Sequence, residues 1–586
     1  MAARRDADAS AGSGSDGHSD RRPSNAVEED YAFRAQSPVE RLVDSFFGIA
    51  YVLGLVLARS IGLQSVREIG FDDESISLYL GMRMFSGGTV AADRSPLYQL
   101  WYWLQSLVVG DPVSLYYVNW SALLFSNLLI LWVLLGWMRV SRVLSVVLLA
   151  VFSTLTLFEV WPYVSLLSMA GVGIAMRLTF GLRSWIDTLS TLSAVFGILA
   201  FVRPELTMSF LLSLLVLGCV SWVQSGTVVQ KGIALALAVV PFVLLCVVFG
   251  SPFGGGRLFV AFGQHYSMNV TQAESRQADP WNSWEEITRR DFGGSKSVSD
   301  ALRMNPERVA WHIHMNFRNV TSLRSIFAPD VDSPRARTGL GLLVMGGVLL
   351  GGVMGLRSIY ARGAQAFVTD HTPQSHVLVA TALAAAPSVV SIVLVYPRAH
   401  YVVAPCVGLL VFSTWGLSEL LMRMGLPRGS YWPGVAAAGI GCLAVLPGSS
   451  GLEPWFLRWA TATSEPGHLE SIATIRTLRR LPLSIGRDES VSVLEADYSR
   501  GVYAGWQVNR ISQTECRPFL ECVSREHPEI VVDSIRLQKH YLALKDGGYE
   551  AFLARPEALG YRRVQVPGQA TQIFVREDLL GQPRAR

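Results

Sequence analysis

The chain has 586 residues, half of them hydrophobic and only 16% charged, against about 25% charged in an average soluble domain. That balance excludes a water-soluble globular protein. The many apolar stretches that match the about 20 helical residues needed to cross a hydrocarbon layer about 30 Å thick read instead as an α-helical multi-pass membrane protein. The formal net charge of +4 is scattered over short loops and identifies no partner; membrane lipids are expected neighbours and nucleic acid is not.

Residues 1–40 are polar, rich in Ser, Gly, Asp and Arg, and too poor in apolar side chains to offset the entropy of ordering. A disordered cytoplasmic segment is expected there. It lacks the apolar core and small-residue cleavage site of a signal peptide, so the first span, near 42–63, reads as an uncleaved anchor. Three consecutive carboxylates, Asp72, Asp73 and Glu74, follow in FDDESISLYLGMRMFSGG at 71–88. The next stretch, SPLYQLWYWLQSLV at 96–109, is too short to span and rich in Trp and Tyr. It reads as a helix in the membrane interface, where such rings prefer to sit. Further spans fall near 113–138, 142–158, 160–180, 187–203, 205–224, 230–250, 339–356, 375–396, 400–422 and 431–449, making about eleven within a transmembrane domain over 41–450.

The short loops predict the orientation. With a cytoplasmic N-terminus, the inner turns carry Arg139, Arg142, Arg177, Arg183, Lys231, Arg357, Arg362, Arg423 and Arg428, while the outer turns carry Arg203 and Arg398. This is the positive-inside bias. It places the loops 64–112 and 251–338, and everything after the last span, on the outer side. Within 251–338, Trp281, Trp284 and the helical spacing over 300–322 predict an ordered cap. The tail, 451–586, has ordinary soluble composition; VSVLEAD, EIVVDSI, YRRVQV and QIFVRED alternate with SIATIRTLRRL and YEAFLARPEALG, predicting a small extracytoplasmic α/β domain. Cys219, Cys246, Cys406 and Cys442 lie in apolar spans, whereas Cys516 and Cys522 lie in the tail, where an oxidising exterior permits a disulfide.

The carboxylate cluster has two readings. A solvated helix start uses such residues as N-caps and as first-turn acids favoured by the helix dipole. The second reading is a site at the membrane edge. The same side receives Glu159 with Trp161, then Arg203-Pro204-Glu205, then YPRAHY with Arg398 and His400, each at the outer end of a span. Charges converging on one membrane edge point to function, although Arg203 and Arg398 taken singly also suit snorkelling to headgroups.

FDDESISLYLGMRMFSGG followed by SPLYQLWYWLQSL resembles the first outer loop of the GT-C glycosyltransferases. That superfamily includes the protein O-mannosyltransferases and the bacterial aminoarabinose transferases of lipid A. In it an Asp-Glu or Asp-Asp pair follows the first span, begins an amphipathic helix and is trailed by a Gly; Asp73, Glu74 and Gly88 stand at that spacing. FVRPEL, VYPRAHYVVAP, ALGYRRVQV and TQIFVRED are similar to span ends and outer domains of bacterial members. No WWDYG-type run of an oligosaccharyltransferase catalytic subunit is present. The resemblance covers about 40–580. It implies a GT-C-like fold and an inverting transfer of a sugar from a polyprenyl-phosphate donor to an outer hydroxyl acceptor on a glycan, a lipid or a protein.

The residue types suit that chemistry. A polyprenyl tail keeps the sugar–phosphate bond at the interface, an acceptor hydroxyl needs a carboxylate base, and a guanidinium matches the departing phosphate with two parallel hydrogen bonds. Asp73 is expected to be the base, with Asp72 the close contender, and Glu74 beside them is expected to bind substrate. Arg203, Arg398 and His400 are expected at the phosphate, Glu205 to orient Arg203, and Tyr401 to line the pocket or join the aromatic belt. No cofactor is specified, although carboxylates near a lipid phosphate can hold Mg²⁺ or Mn²⁺. Two other classes stay open. A lipid-linked substrate transporter or flippase would place its charges near the midplane and show inverted repeats. A non-catalytic envelope assembly protein would use the tail as a binding module and be indifferent to Asp73→Asn.

Overall fold

The computed structural model describes residues 38–86, 94–224, 226–252, 256–274, 280–328, 334–362, 371–425, 432–445, 469–483, 490–496, 500–513 and 515–580. Of the disorder expected over 1–40, residues 1–37 lie outside these residues, as does the trailing Gly88, while 38–40 open a helix instead. The chain divides into two compact units, one up to Ala50 and one from Tyr51 onward. The described part of the first unit is the beginning of helix α1 (Pro38–Ser60).

The loop after α1 holds α2 (Asp73–Met82) and α3 (Pro96–Ser106). Six apolar helices follow: α4 (Pro112–Trp137), α5 (Arg142–Ser153), α6 (Val164–Thr179), α7 (Trp185–Leu199), α8 (Thr207–Val223) and α9 (Val228–Phe249). A cap of α10 (Arg257–Ala273), α11 (Pro280–Phe292) and α12 (Pro306–Asn319) interrupts them. Its core is Phe262, Tyr266, Val270, Ile287, Phe292, Ala301 and Val309. Then come α13 (Pro334–Arg362), α14 (Pro373–Leu394), α15 (Ala399–Arg423) and α16 (Trp432–Val445).

Among the described residues seven helices are long and apolar enough to cross a membrane: α1, α4, α8 with the 3-10 turn Pro204–Leu206 ahead of it, α9, α13, α14 and α15. The chain is a helical membrane protein. The other four expected spans, α5, α6, α7 and α16, are apolar helices of only 10–17 residues. The 12 residues of α5 rise about 18 Å at 1.5 Å each, against a hydrocarbon layer of about 30 Å. This helix stops at the 3-10 turn Thr156–Glu159, and Pro162, which has no backbone N–H to donate, separates it from α6.

Helices α13 and α15 meet backbone to backbone. A Cβ at Gly416 would run into the Gly351 carbonyl, and one at Gly355 into the Phe412 ring. Small residues four apart permit this approach where no hydrophobic drive separates helix from lipid. Gly416→Ala is therefore expected to destabilise the fold by about 1–3 kcal/mol, the range for overpacking. A lowered thermal-aggregation midpoint of the detergent-solubilised protein would show it.

The C-terminal domain contains α17 (Glu470–Arg480), β1 (Ser490–Glu495), β2 (Gln507–Ser512), α18 (Phe519–Glu526), β3 (Ile530–Asp533), α19 (Ile535–Leu544), α20 (Gly547–Ala554), β4 (Tyr561–Gln565) and β5 (Gln572–Arg576). The sheet order is β2-β1-β3-β5-β4, with β1 parallel to both β2 and β3, and β5 antiparallel to both β3 and β4. Both faces are covered. Val491, Val493, Ile530 and Val532 pack with Leu478 of α17, while Leu494 and Val531 pack with Phe519, Tyr541 and Phe552. Cys516 and Cys522 are bonded to each other. The strand not foreseen is β2, QVNRIS, an edge strand too polar to stand out by alternation.

Candidate functional site

Helix α2 begins at Asp73, and four successive side chains there meet four different fates. Asp72 ion-pairs with Arg536 of α19 at 3.3 Å. Glu74 is wholly buried, and its carboxylate accepts from the Tyr98 and Tyr102 hydroxyls, from Asn119 Nδ2 at 3.3 Å and from the Tyr163 N–H at 3.0 Å. Ser75, also buried, donates to the Tyr503 hydroxyl at 3.4 Å. Only Asp73 turns an exposed side chain outward, and no described residue hydrogen-bonds or ion-pairs its carboxylate. Protein nonetheless surrounds it on most sides. That surrounding mass raises its pKa above the ordinary carboxylate range, Asp72 adds to the rise, and Arg257, Arg398 and Arg94 oppose it.

Two expectations change here. Glu74 is not placed to bind a substrate: with no exposed surface, it ties α2 to α3 and α4, and the helical turn of about 100° per residue explains why it faces inward while Asp73 does not. Burial pushes its carboxyl up to about 7, against the pull of the Tyr102 and Tyr98 hydroxyls and the Tyr163 N–H. Nor is Asp72 an ordinary N-cap. Its side chain makes no cap hydrogen bond, and its backbone sits at φ 62°, ψ −117°. That conformation suits glycine and costs another residue about 1–3 kcal/mol.

The other expected residues gather at the adjoining ends of α7, α8, α14 and α15. Arg203 is buried, and its Nε and Nη2 fork meets Glu205 at 3.4 and 3.2 Å. Its Nη1 donates to Ser165 Oγ at 2.8 Å and to the His400 carbonyl, and its guanidinium lies 5.6 Å over the Tyr401 ring. Glu205 is thus paired with Arg203, while Arg203 spends its donors on protein. Arg203, Glu205, Leu206, Pro387, Ser388, Ser391, Tyr401 and Ala404 line a small recess. His400 packs on Tyr401 with ring centroids 4.2 Å apart.

Arg398 occupies the N-cap position of α15, with its guanidinium 4.7 Å over Trp281 of the cap. The cap fixes this corner. His312 Nε2 lies 3.1 Å from the Val395 carbonyl, and Asn316 Nδ2 donates to the Val393 carbonyl at 3.0 Å. His265 stacks on Tyr396 at 5.5 Å. Burial, helped by Arg398, pushes the His265 pKa down to about 3, so it is neutral at ordinary pH.

Sequence reasoning missed Arg257, the first residue of α10, which acts electrostatically on Asp73 and Glu205 alike. Its signal was GGGRLF directly after a span, where Gly256 at φ 64° lets the chain turn into a helix. It also missed Arg94 and His265, and it read Trp281 only as part of the ordered cap. Glu159, by contrast, lies in a supporting network, paired with Arg59 at 3.5 Å and with Arg67, whose guanidinium lies 4.9 Å over Trp120. Among the described residues no three His, Cys, Asp or Glu side chains gather as a metal site.

The arrangement offers one solvent-open carboxylate with a raised pKa, opposed by arginines from three separate segments. It can take a proton at Asp73 while the arginines stabilise an anion beside it. No protein-family model, no curated protein and no solved structure matches the chain.

Proposed function

We propose that the protein is an inverting membrane glycosyltransferase of GT-C type that moves a sugar from a polyprenyl-phosphate donor to an extracytoplasmic hydroxyl acceptor. The carrying observation is the isolation of the Asp73 carboxylate, exposed and within the electrostatic reach of Arg257 and Arg398 while its three neighbours are engaged by protein. In this reading Asp73 removes the proton from the acceptor hydroxyl as its oxygen attacks the anomeric carbon. The sugar–phosphate bond breaks on the opposite side, and Arg398 with Arg257 stabilises the lipid phosphate that leaves. Arg203, held by Glu205, shapes the recess with His400 and Tyr401. Charges gathered at helix ends favour this chemistry over a transporter, whose ionisable groups belong near the midplane on broken helices.

The decisive experiment is reconstitution of the purified protein with polyprenyl-phosphate sugars and candidate acceptors, with mass spectrometry of the products. Absence of transfer from every such donor, in protein shown to be folded, would remove the reading.

The proposal includes eleven membrane segments, a cytoplasmic N-terminus and an extracytoplasmic α/β domain, on the positive-inside bias. Single cysteines replacing the exposed Glu286 and Glu521 should react with an impermeant maleimide on intact cells. Those replacing the exposed Arg139 and Met424 should react only after permeabilisation. The reverse pattern would invert every assignment.

A further inference from the structure

The segment leading into α2 is held along its length by the C-terminal domain. The Glu68 carboxylate accepts the Glu470 N–H at 2.8 Å and the Ser471 N–H at 3.0 Å, and the Ile69 N–H donates to Ser471 Oγ at 3.3 Å. Phe71 lies between two residues of that domain, with its ring 5.8 Å from Tyr503 and under the Arg500 guanidinium at 4.5 Å. Asp72 pairs with Arg536, and Ser75 donates to the hydroxyl of Tyr503, a wholly buried side chain. The last two contacts bracket Asp73. They come from separate parts of the domain, Tyr503 from the short helix Arg500–Ala504 after β1 and Arg536 from the first turn of α19 after β3.

The backbone of Asp72 explains why such a grip is needed. A non-glycine residue at φ 62°, ψ −117° persists only where its surroundings over-determine it. Released, it would relax to an ordinary conformation and swing the first turn of α2, and with it the direction of the Asp73 carboxylate. We infer that the C-terminal domain is a working part of the site, in which Arg536 and Tyr503 hold the strained Asp72 corner so that Asp73 is aimed at the acceptor. This rests on the reading of Asp73 as the base. Arg536 and Tyr503 are positioning residues, since neither acts on the reacting atoms.

The test uses the full chain in lipid nanodiscs, with Arg536→Ala, Arg536→Lys and Tyr503→Phe. Backbone hydrogen exchange over 70–76 is measured without substrate, and steady-state transfer is measured from a polyprenyl-phosphohexose. Arg536→Ala should exchange faster over that stretch, through local opening of a released segment. Its kcat should fall about tenfold or more, because small misplacements of a reacting group carry large rate penalties, while KM for the donor stays within about twofold. Arg536→Lys should restore both, because lysine keeps the positive charge opposite Asp72. Tyr503→Phe should loosen Ser75 in the same direction. Unchanged exchange in Arg536→Ala overturns the inference, and so does faster exchange with undiminished kcat. If the unaltered protein transfers no sugar, the glycosyltransferase reading falls with the aiming of a base. The exchange result then still separates a gripped segment from an ungripped one.

Discussion

Asp73→Asn should leave a folded, correctly inserted protein whose transfer rate is reduced by about 10²–10⁴-fold, the usual contribution of a general base. The change keeps the side chain's shape. It breaks no hydrogen bond or ion pair among the described residues, since none holds this carboxylate. Normal turnover in a reconstituted assay would reduce the cluster to a helix start. The unaltered protein should also lose rate on acidification earlier than an ordinary Asp, near pKa 3.9, would allow. The base works ionised, and the folded pKa is raised, so the acid limb of the pH–rate profile moves upward. Asp72→Asn should have the smaller effect, because Asp72 already spends its charge on Arg536. If Asp72→Asn is dead while Asp73→Asn is active, the base is the neighbouring residue and the mechanism survives.

Arg398→Lys should be impaired almost as severely as Arg398→Ala. Lysine keeps the charge and loses both the planar stack on Trp281 and the two-pronged match to phosphate. A charge-assisted hydrogen bond contributes about 1.5–3 kcal/mol, so kcat/KM for the lipid-linked donor should fall by a factor of about ten to a hundred and fifty. If Arg398 only reached for headgroups, lysine would serve as well, and a fully active Lys variant would favour that role.

The membrane architecture was largely legible, because hydropathy reports what a segment must avoid. Each stretch read as a span is an apolar helix, yet α5, α6, α7 and α16 fall short of a crossing length. Hydropathy windows run through breaks such as Thr156–Glu159 that end a helix without ending its apolar character. The site was legible as a set of charges at span ends. The division of labour within Asp72, Asp73 and Glu74 was not, since it depends on which neighbours close around α2: tyrosines from α3 on one side and Arg536 on the other. The approach of Arg257, Trp281 and His265 to the site was hidden for a related reason. They reach the site through the fold of the cap onto Tyr396 and Arg398, and no local pattern encodes that fold.

The pairing of Asp72 with Arg536 joins residues 464 positions apart. At the usual pace of synthesis, about 5–20 residues per second, the second partner is made roughly half a minute to a minute and a half after the first. The helices can enter the bilayer in that interval, but the corner beside Asp73 has no Arg536 to brace it until the C-terminal domain has been made and folded. Biosynthesis thereby imposes an order of events: on the proposed reading, a nascent chain that stops short of Arg536 has its carboxylate unaimed. On that reading, competence waits for the C-terminal domain.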